Sequence, residues 1–420
     1  MKENTWIKPE IIHGKPTKYG YTVYYPDSFI LEPNTDIGCG TVIQAEHRVR
    51  IREGSQVGGN CCIYSTNSED GTSGRVYIGA NVNIGTDTTI LPDVVIEDGA
   101  RVGAKSLVKE GTRIKAGETW MGVPARKREN IVAVTGGTGS IGRVIVEELL
   151  LDDTIDSIRV ISRDEAKHAK MKSEIDDPRV RYVIADVTSY RHMCRAFHGA
   201  NTVIHAAAMK RVETSEYNPA AVTRVNTIGT ENVSDACVLC NVKKMLLIST
   251  DKAVNPAGVM GKSKSLAESI IVDHCRRLGK YTQFYIVRLG NVIGSRGAVL
   301  ELWDRQRKKD GWILLTEPDA TRFFLLKKEA AHWILSVLKR DPGLHVPICR
   351  AARIGDLAQA YCELHNCQVE KIGMREGEKM HEELLDEREA SERNAKPEEY
   401  LSDKAVLMTV KELKDMLEAL

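Results

Sequence analysis

A glycine-rich segment with the sequence TGGTGSIG lies between the apolar run IVAVT and the helical pattern RVIVEELL. Glycines in this spacing allow a tight turn in which backbone amides and the start of a helix can meet a pyrophosphate. A strand before the turn and a helix after it are the context that a dinucleotide-binding motif requires. We therefore expect a dinucleotide to contact Gly136, Thr138, Gly139, Ser140, Ile141 and Gly142.

The end of the second predicted strand bears on which dinucleotide binds. NADP enzymes tend to offer a hydroxyl and a cation to the 2′-phosphate there, whereas NAD enzymes offer an acid to the ribose diol. Ser162 and Arg163 favour NADP, and Asp164 keeps NAD as the alternative. After the third predicted strand, Asp186 is placed to meet the adenine or, alternatively, to cap a helix. The further cofactor contacts that we expect are Val187, Ala206 and Ala207.

These motifs lie in a part of the chain where predicted strands and helices alternate. The apolar runs IVAVT, IRVIS, RYVIA, TVIHA, KMLLIS and FYIVR are separated by helical patterns. Such alternation predicts a parallel sheet covered by helices on both faces. We expect an α/β Rossmann domain over residues 129–420, with its nucleotide-binding core at 129–290 and its substrate-binding part mainly at 291–420.

The segment before this domain shows a different pattern, with an aliphatic residue at every sixth position. Consecutive matches run from Ile78 to Ile114, with small or polar residues between them. A six-residue period fits neither a helix nor an ordinary strand, but it fits triangular coils of three short parallel strands. Residues 1–128 are therefore predicted to form an all-β parallel β-helix.

Two interruptions of the six-residue period are expected in this β-helix. Weaker repeats that end at Val49 and start again at Ile51 slip in phase by two residues, so the coil should bulge near His47. Between Ile63 and Ile78 a polar run breaks the period. This run predicts a loop that leaves the coil.

Charge and composition exclude some classes of protein. The 59 basic and 58 acidic side chains leave a net charge of +1, which gives no excess field to recruit nucleic acid or an anionic membrane. No apolar stretch approaches the roughly 18 residues that span a bilayer, and the first residues lack the apolar core of a signal peptide. Ten scattered cysteines without zinc-ribbon spacing favour reduced thiols and no metal. We therefore expect a cytoplasmic protein.

Seven segments within residues 129–400 resemble, in order and spacing, the UDP-N-acetylglucosamine 4,6-dehydratases, which are extended members of the short-chain dehydrogenase/reductase superfamily. The segments are GGTGSIG, SRDE, HAAAMKRVETSEYNP, STDKAVNPAGVMGKSK, RLGNVIGSRG, TRFF and REGEKMHEEL. The resemblance implies a UDP-sugar substrate and an internal redox reaction with loss of water. Hydride leaves C4 for the nicotinamide and later returns to C6, which has lost its hydroxyl.

The resemblance also implies roles for three adjacent residues of the segment STDK. Asp251 would protonate the departing C6 hydroxyl, Lys252 would take the C5 proton, and Thr250 would contact the C4 oxygen. An acid and a base suffice for this elimination because oxidation at C4 makes the C5 proton acidic. Burial and mutual coupling would have to raise the pKa of the acid and lower that of the lysine.

One position departs from the pattern of the wider superfamily, which has a tyrosine four residues before its lysine. Met260 stands there, followed by Lys264. A thioether cannot accept a proton at any useful pH, so the proton of the C4 hydroxyl must leave through Thr250 and Asp251 or through an ordered water. Lys264 would still hold the nicotinamide ribose. A minority branch of the dehydratases also carries methionine here.

The remaining segments are expected to bind the substrate. Cations at the motif positions can engage a nucleotide diphosphate, which arginine does with two parallel hydrogen bonds. Asparagine side chains there are expected at the sugar or at backbone groups, with purely structural hydrogen bonds as the alternative. The expected substrate contacts are Lys210, Asn226, Asn291, Arg296, Arg322 and Glu378.

The predicted β-helix, with its closing stretch MGVPAR, resembles the left-handed β-helix acyltransferases, which are usually trimers that bind acyl-coenzyme A between subunits. Catalysis in these enzymes needs a base, commonly a histidine, and only His13 and His47 precede residue 128. His47 is the candidate base because it lies at the expected bulge. The alternative is a β-helix that serves only for trimerisation.

Together the two resemblances predict a bifunctional enzyme of amino-sugar synthesis. It would dehydrate UDP-N-acetylglucosamine and, after a separate aminotransferase has acted, transfer an acetyl group from acetyl-coenzyme A to the UDP-amino sugar. A homotrimer or a hexamer is expected. One alternative keeps only the dehydratase, and another makes the Rossmann domain a nucleotide-sugar epimerase.

Overall fold

The computed structural model describes residues 6–295, 297–374, 378–393 and 396–420. The chain divides into two compact units, Met1–Glu129 and Asn130–Leu420. The first unit is a parallel β-helix and the second is a Rossmann-like α/β domain, as the sequence predicts.

The first unit consists of short strands, three to a coil. Successive coils place their first, second and third strands on three separate parallel sheets, and the last strand pairs antiparallel with its neighbour. The strands are β1 (Thr22–Tyr24), β2 (Phe29–Leu31), β3 (Asp36–Ile37), β4 (Val42–Gln44), β5 (Val49–Ile51), β6 (Gln56–Val57), β7 (Cys62–Tyr64), β8 (Val76–Ile78), β9 (Asn83–Ile84), β10 (Thr89–Ile90), β11 (Val95–Ile96), β12 (Arg101–Val102), β13 (Leu107–Val108), β14 (Arg113–Ile114), β15 (Thr119–Met121) and β16 (Arg126–Lys127).

The aliphatic residues of the six-residue period point into the coil and stack in columns. In one sheet Ile43 pairs with Ile63, Ile63 with Ile90 and Ile90 with Val108. All four side chains are fully buried. Because a coil of two- and three-residue strands buries little by itself, the columns between coils supply the apolar core of this unit.

The corners of the coil explain the small and polar residues between the aliphatics. From Asn81 to Gly117 a residue with positive φ recurs every six positions. Asn, Asp and Gly tolerate this left-handed conformation better than other residues do. Gly40 and Arg48 are eight residues apart instead of six, which is the slip expected near His47.

The predicted loop leaves the coil between β7 and β8. The backbone amide of Gly74 donates to the carbonyl of Ser65, and Thr66 forms an isolated antiparallel bridge with Ser73, so the ends of the loop are closed. The strands on either side keep their register with the neighbouring coils.

The second unit is built on a seven-stranded parallel sheet over the residues that the structure describes. The strand order is β19-β18-β17-β20-β21-β22-β26, and the six predicted strands are confirmed as its first six members in the chain. Its elements are β17 (Ile131–Thr135), α1 (Ser140–Leu149), β18 (Ser157–Ser162), α2 (Glu165–Glu174), β19 (Val180–Ile184), α3 (Tyr190–Phe197), β20 (Thr202–His205), α4 (Val212–Tyr217), α5 (Pro219–Thr223), α6 (Gly229–Leu239), β21 (Lys244–Thr250), α7 (Val259–Leu278), β22 (Gln283–Leu289), β23 (Asn291–Val292), α8 (Val299–Asp310), β24 (Trp312–Leu315), β25 (Thr321–Leu325), α9 (Lys327–Val337), β26 (Gly343–His345), β27 (Arg350–Arg353), α10 (Ile354–His365), β28 (Gln368–Lys371), α11 (Glu387–Glu392) and α12 (Val410–Glu418).

Both faces of this sheet are covered, which is why its strands are apolar throughout. In β17 the side chains of Val132 and Val134 belong to one buried cluster, whereas those of Ile131 and Ala133 belong to another. A parallel strand with helices on both sides shows this division. The carboxyl ends of β17, β20 and β21, which are neighbours in the sheet, therefore open on one common edge.

The residues after β22 form a smaller lobe and also return to the main sheet. A three-stranded sheet, β23-β25-β27, and the pair β24-β28 pack with α8, α10 and α12 around a separate apolar core. β26 pairs with β22, so the Rossmann core draws a strand from beyond residue 290. In the described part of the chain, no helix is both long enough and apolar enough to cross a membrane.

Candidate active site

The glycine turn between β17 and α1 is shaped so that a ligand can approach its backbone. Gly136 has a φ of 66°, and a Cβ atom there would lie only 2.7 Å from the backbone nitrogen of Ala207. Only glycine satisfies both conditions. Ser140, Ile141 and Gly142 form the first turn of α1, and the amides at a helix N-terminus can bind an anion.

An open cavity of about 570 Å³ lies beside this turn. It is lined by residues at or just after the carboxyl ends of β17, β18, β19 and β20, which are far apart in the chain. The turn and the cavity fit the pyrophosphate and the adenosine part of a dinucleotide. The predicted cofactor residues that line the cavity are Gly136, Thr138, Gly139, Ser162, Arg163, Val187, Ala206 and Ala207.

The acid that kept NAD as the alternative also lines the cavity, but its carboxylate already has two partners. The Asp164 carboxylate accepts a hydrogen bond from the backbone nitrogen of Lys167 at 3.0 Å, so it caps α2, and it also pairs with Nζ of Lys167 at 2.5 Å. Asp186 lies 3.5 Å from the exposed guanidinium of Arg163. Ser162 Oγ lies 3.1 Å from Nε2 of His168, whose pKa is lowered by burial. The cavity is therefore lined by the Ser162 hydroxyl, by the cations of Arg163 and Lys167, and by the Asp164 carboxylate.

The residues Thr250, Asp251 and Lys252 converge at the end of β21, where a short 3-10 turn begins. Asp251 is fully buried. Its Oδ1 accepts hydrogen bonds from Thr250 Oγ1 at 2.6 Å and from Lys252 Nζ at 3.0 Å. Its Oδ2 is buried and has no hydrogen-bond partner among the described residues. A buried carboxylate oxygen without a partner is uncommon in folded proteins, which makes this turn a candidate functional site.

Lys252 has two further partners, which change its expected protonation. Nζ lies 3.3 Å from Oδ1 of Asn291 and 3.4 Å from Oε1 of Glu382. Burial lowers the pKa of Lys252, but the carboxylates of Asp251 and Glu382 outweigh it, so this pKa is raised. The expectation of a lowered lysine pKa is therefore wrong for the protein without substrate, because two acids surround the amine instead of one.

Helix α7 presents Met260 and Lys264, one turn apart, on its buried face. The helix approaches the turn at Lys252 closely, since a Cβ atom on Gly261 would lie 2.4 Å from the carbonyl oxygen of Lys252. Lys264 Nζ donates to the carbonyl of Ile248 at 2.6 Å. Burial lowers the pKa of Lys264 to about 8, against the opposing effect of Glu268.

A buried network that the sequence did not indicate supports the end of β21. Ser249 Oγ donates to Glu268, and Arg288 donates to Glu268 at 2.7 Å. The same guanidinium donates to Glu389 at 2.6 Å and to the carbonyl of Leu384 at 3.1 Å. The network therefore ties the segment around residue 384 to β21, β22 and α7.

A buried histidine joins the ends of neighbouring strands. His205 Nδ1 lies 2.6 Å from Thr135 Oγ1 and its Nε2 lies 3.2 Å from Thr230 Oγ1. Burial, helped by Lys264, lowers the pKa of His205 to about 3, so the ring is neutral. It fixes the edge of the sheet at which the glycine turn lies.

Glu382 is a site residue that sequence reasoning missed. Its side chain is 3% exposed and lies 3.9 Å from Nε of Arg322 as well as close to Lys252. Burial and the charge of Asp251 raise the pKa of Glu382, whereas Lys252 and Arg322 lower it. The segment MHEEL offers two adjacent glutamates, and nothing local distinguishes the buried Glu382 from the more exposed Glu383.

The predicted substrate residues differ in what they contact: some bond to other polar side chains near the cluster, and one bonds to the backbone. Asn291 joins the cluster at Lys252, and Lys210 Nζ donates to Ser295 Oγ at 3.2 Å. Asn226, within a single π-helical turn between α5 and α6, bonds to both backbone groups of Met209, which is the structural alternative.

Arg322 is occupied in the structure by its own neighbourhood. Its guanidinium donates to the carbonyls of Thr321 and Lys379 at 2.8 and 2.7 Å. It therefore holds the segment that carries Glu382, and contact with a diphosphate stays a prediction. Glu378 is partly buried at the start of that segment, and the expected contact at Arg296 lies outside the described residues.

In the β-helix, His47 is exposed at the corner between β4 and β5. Its backbone nitrogen donates to Ser65 Oγ at 2.9 Å, at the base of the loop between β7 and β8. The neighbouring Glu46 accepts a hydrogen bond from Thr66 of the same loop at 3.1 Å. The candidate base and the coil-breaking loop thus share one corner.

A parallel Rossmann sheet, a glycine turn at its first helix and an acid–lysine pair at the end of β21 define a short-chain dehydrogenase/reductase of the nucleotide-sugar type. The chain belongs to the family described as polysaccharide biosynthesis protein, whose model matches residues 132–404. Residues 75–110 match the bacterial transferase hexapeptide model of six repeats.

Curated relatives and solved structures match about two thirds of this chain. An uncharacterized membrane protein of Methanocaldococcus jannaschii is 38% identical over 62% of this chain and 82% of its own length. The UDP-glucose 4-epimerase of Rickettsia rickettsii is 35% identical over 62% of this chain and 79% of its own length. The X-ray structure of Pen from Bacillus thuringiensis is 30% identical over 69% of this chain and 98% of its own, with a TM-score of 0.66. DesIV of Streptomyces venezuelae, a dTDP-glucose 4,6-dehydratase, is 20% identical over 64% of this chain and 92% of its own. Its TM-score of 0.56 shows that it shares the fold.

Replacing Lys264 should change how stability depends on pH. Its pKa of about 8 in the folded protein lies below the ordinary value of 10.5. Between these two pH values the unfolded chain therefore binds more protons than the folded protein does. As a result, this lysine makes the free energy of unfolding increase with pH over that interval. Lys264→Met should remove this contribution, up to about 1.4 kcal/mol per pH unit. Urea unfolding without nucleotide from pH 7.5 to 10 measures it. Lys262→Met, at an exposed position of the same helix, is the control. Equal slopes in wild type and Lys264→Met would contradict the prediction.

Proposed function

We propose that the Rossmann unit catalyses the 4,6-dehydration of a UDP-N-acetylhexosamine, with UDP-N-acetylglucosamine as the first candidate substrate and NADP as cofactor. The observation that carries the proposal is the buried Asp251, which shares one oxygen with Thr250 and Lys252 and leaves the other without a described partner. A dehydratase needs such an acid beside a base at one sugar.

The cofactor would be held by the glycine turn and the cavity beside it. Gly136 and the first turn of α1 would bind the pyrophosphate. Ser162 and Arg163 would meet the 2′-phosphate of NADP, because Asp164 is engaged in capping α2. Lys264 would hold the nicotinamide ribose. When bound, the nicotinamide would take a hydride from C4 and return it to C6.

The proton of the C4 hydroxyl would follow the hydrogen bonds at the end of β21. Met260 cannot accept it. Thr250 would receive this proton while passing its own to Oδ1 of Asp251, 2.6 Å away. The acid formed in this way would protonate the C6 hydroxyl, which leaves as water. The proton lost at C4 and the hydroxyl lost at C6 thus account for one water molecule, and the C5 proton taken by Lys252 would return to C5 when hydride adds to C6.

A second candidate is a nucleotide-sugar 4-epimerase, which the names of the Rickettsia relatives favour. An epimerase returns hydride to C4 and keeps the C6 hydroxyl. It needs a group that exchanges a proton with the C4 oxygen, and it makes no use of an acid beside C6. The buried Asp251 with Lys252 next to it favours the dehydratase.

Incubation with UDP-N-acetylglucosamine and NADP distinguishes these candidates by proton NMR. We expect a new C6 methyl signal, since dehydration converts the C6 hydroxymethyl group into a methyl group. Asp251→Asn should reduce its rate at least about 100-fold, because the amide cannot donate the acid proton. Asp273→Asn on α7 is the control for a surface acid. Inversion at C4 without a methyl signal would establish the epimerase instead.

The preference for NADP can be tested by removing one cation. Arg163→Ala should weaken NADP binding about tenfold or more and leave NAD binding nearly unchanged, because a charge-assisted hydrogen bond to phosphate is lost. Calorimetric titration with both dinucleotides measures the two dissociation constants. Arg181→Ala, which removes an exposed arginine of β19, serves as the control. Equal weakening of both dinucleotides would argue against a 2′-phosphate contact.

For the β-helix we propose N-acetyl transfer from acetyl-coenzyme A to a UDP-amino sugar, with His47 as the base. The hexapeptide match and the shared corner of His47 and the coil-breaking loop support this activity. The keto sugar from the first reaction would become the acceptor after a separate aminotransferase has acted. A homotrimer or a hexamer of the chain would bring neighbouring β-helices together.

Thiol release from acetyl-coenzyme A in the presence of UDP-4-amino sugars tests this activity. His47→Ala should lower the rate about 100-fold or more, because the acceptor amine loses its general base. His13→Ala is the matched control, since His13 is the other histidine of this unit. If the wild-type protein releases no thiol but is a trimer in solution, the β-helix serves for assembly alone.

A further inference from the structure

The carboxylate of Glu382 lies beside the amine of Lys252 without belonging to an ordinary surface ion pair. The Glu382 side chain is 3% exposed, and Oε1 lies 3.4 Å from Nζ of Lys252. Oε2 is buried and has no hydrogen-bond partner among the described residues. A buried carboxylate with one empty oxygen is costly, so a structural role alone does not explain it.

Glu382 is also held firmly in place. Its backbone nitrogen donates to Ser402 Oγ at 2.7 Å, and its carbonyl accepts from the Ser402 nitrogen at 2.9 Å. Ser402 Oγ in turn lies 2.7 Å from Thr321 Oγ1. Two residues further on, Arg288 donates to the carbonyl of Leu384. The position of the carboxylate beside Lys252 is therefore fixed by the hydrogen bonds to Ser402 and by the hydrogen bond from Arg288 at Leu384.

The charges around Glu382 come from several elements. Lys252 and Asp251 face it from the turn after β21, Arg322 from β25, and Lys379 from its own segment. The pKa of Glu382 is raised by burial and by Asp251, against three cations. Asp251 and Glu382 thus share the single amine of Lys252, and Glu382 can keep a proton more easily than an isolated glutamate can.

We propose that Glu382 takes a proton from the ammonium group of Lys252 and so leaves the free amine that collects the C5 proton. This inference rests on the proposed dehydratase function. One N–H bond breaks and one O–H bond forms, and no charge leaves the site. Glu382 acts through Lys252 and is therefore a positioning residue for the base. A substrate that covers Lys252, whose side chain is 26% exposed, excludes water and favours the neutral pair over the charged one.

The pH dependence of turnover separates this role from a purely structural one. With Glu382 present, the proton stays within the pair, so the wild-type rate should be nearly flat from pH 7 to 9. In Glu382→Gln the ammonium must release its proton to solvent. Its rate should be about 100-fold lower at pH 7 and should rise about tenfold per pH unit. Glu383→Gln, at the neighbouring and more exposed glutamate, should keep the wild-type rate and profile.

A second measurement needs no substrate and works even if the sugar has been chosen wrongly. The ¹⁵Nζ signal of Lys252, assigned by its loss in Lys252→Met, is titrated in wild type and in Glu382→Gln. The pKa of Lys252 should be lower in the variant, because one of the two carboxylates that raise it is gone. Equal pKa values in two folded proteins would overturn the proposal, as would a flat pH profile of Glu382→Gln at the wild-type rate.

Glu382→Asp covers the case in which the glutamine variant does not fold. It keeps the charge but withdraws the carboxylate by one methylene, so the rate should fall at least tenfold while the profile stays flat. A wild-type rate in Glu382→Asp would overturn the proposal. If the wild-type protein forms no 6-deoxy product at all, the dehydratase proposal fails, and the Lys252 titration still decides whether Glu382 controls the amine.

Discussion

The carboxylate of Asp251 is fully buried, and a buried charge is stable only where hydrogen bonds and an opposite charge replace water. Thr250 and Lys252 supply both to the same oxygen atom. These two partners come from positions next to Asp251 in the chain, so the conformation of a single turn after β21 fixes all three. The rest of the second unit has to hold that turn at the edge of the sheet.

The scaffold meets this requirement through contacts that reach the turn from different directions. Gly261 lets α7 approach the carbonyl of Lys252, and the same helix delivers Lys264 to the carbonyl of Ile248. Arg288 fastens the segment around Leu384 to the sheet, and Glu382 arrives on that segment. The cluster at the edge of the sheet therefore consists of residues more than a hundred positions apart, which the Arg288 guanidinium and the close contact at Gly261 hold together.

Much of this architecture could be predicted from sequence because its signals are local or repeated. The coils of the β-helix follow from a period that every coil repeats, and the glycine turn follows from a few consecutive residues. The raised pKa of Lys252 depends on the adjacent Asp251 and also on Glu382, and no local pattern indicates this second carboxylate 130 positions later. Which of two adjacent glutamates is buried depends on Ser402, and whether Asp164 meets a ribose or caps α2 depends on where that helix begins. Such choices are decided by tertiary contacts and not by spacing.

The loop between β7 and β8 leaves the β-helix at a corner, and the columns of stacked aliphatics continue past it. Ile63 still pairs with Ile90, and Ile51 still pairs with Ile78. Because a corner carries no residue of the columns, the length and sequence of this loop can change without altering the register of any coil. The solenoid thus separates the residues that its folding requires from a loop whose length and sequence can change independently of them.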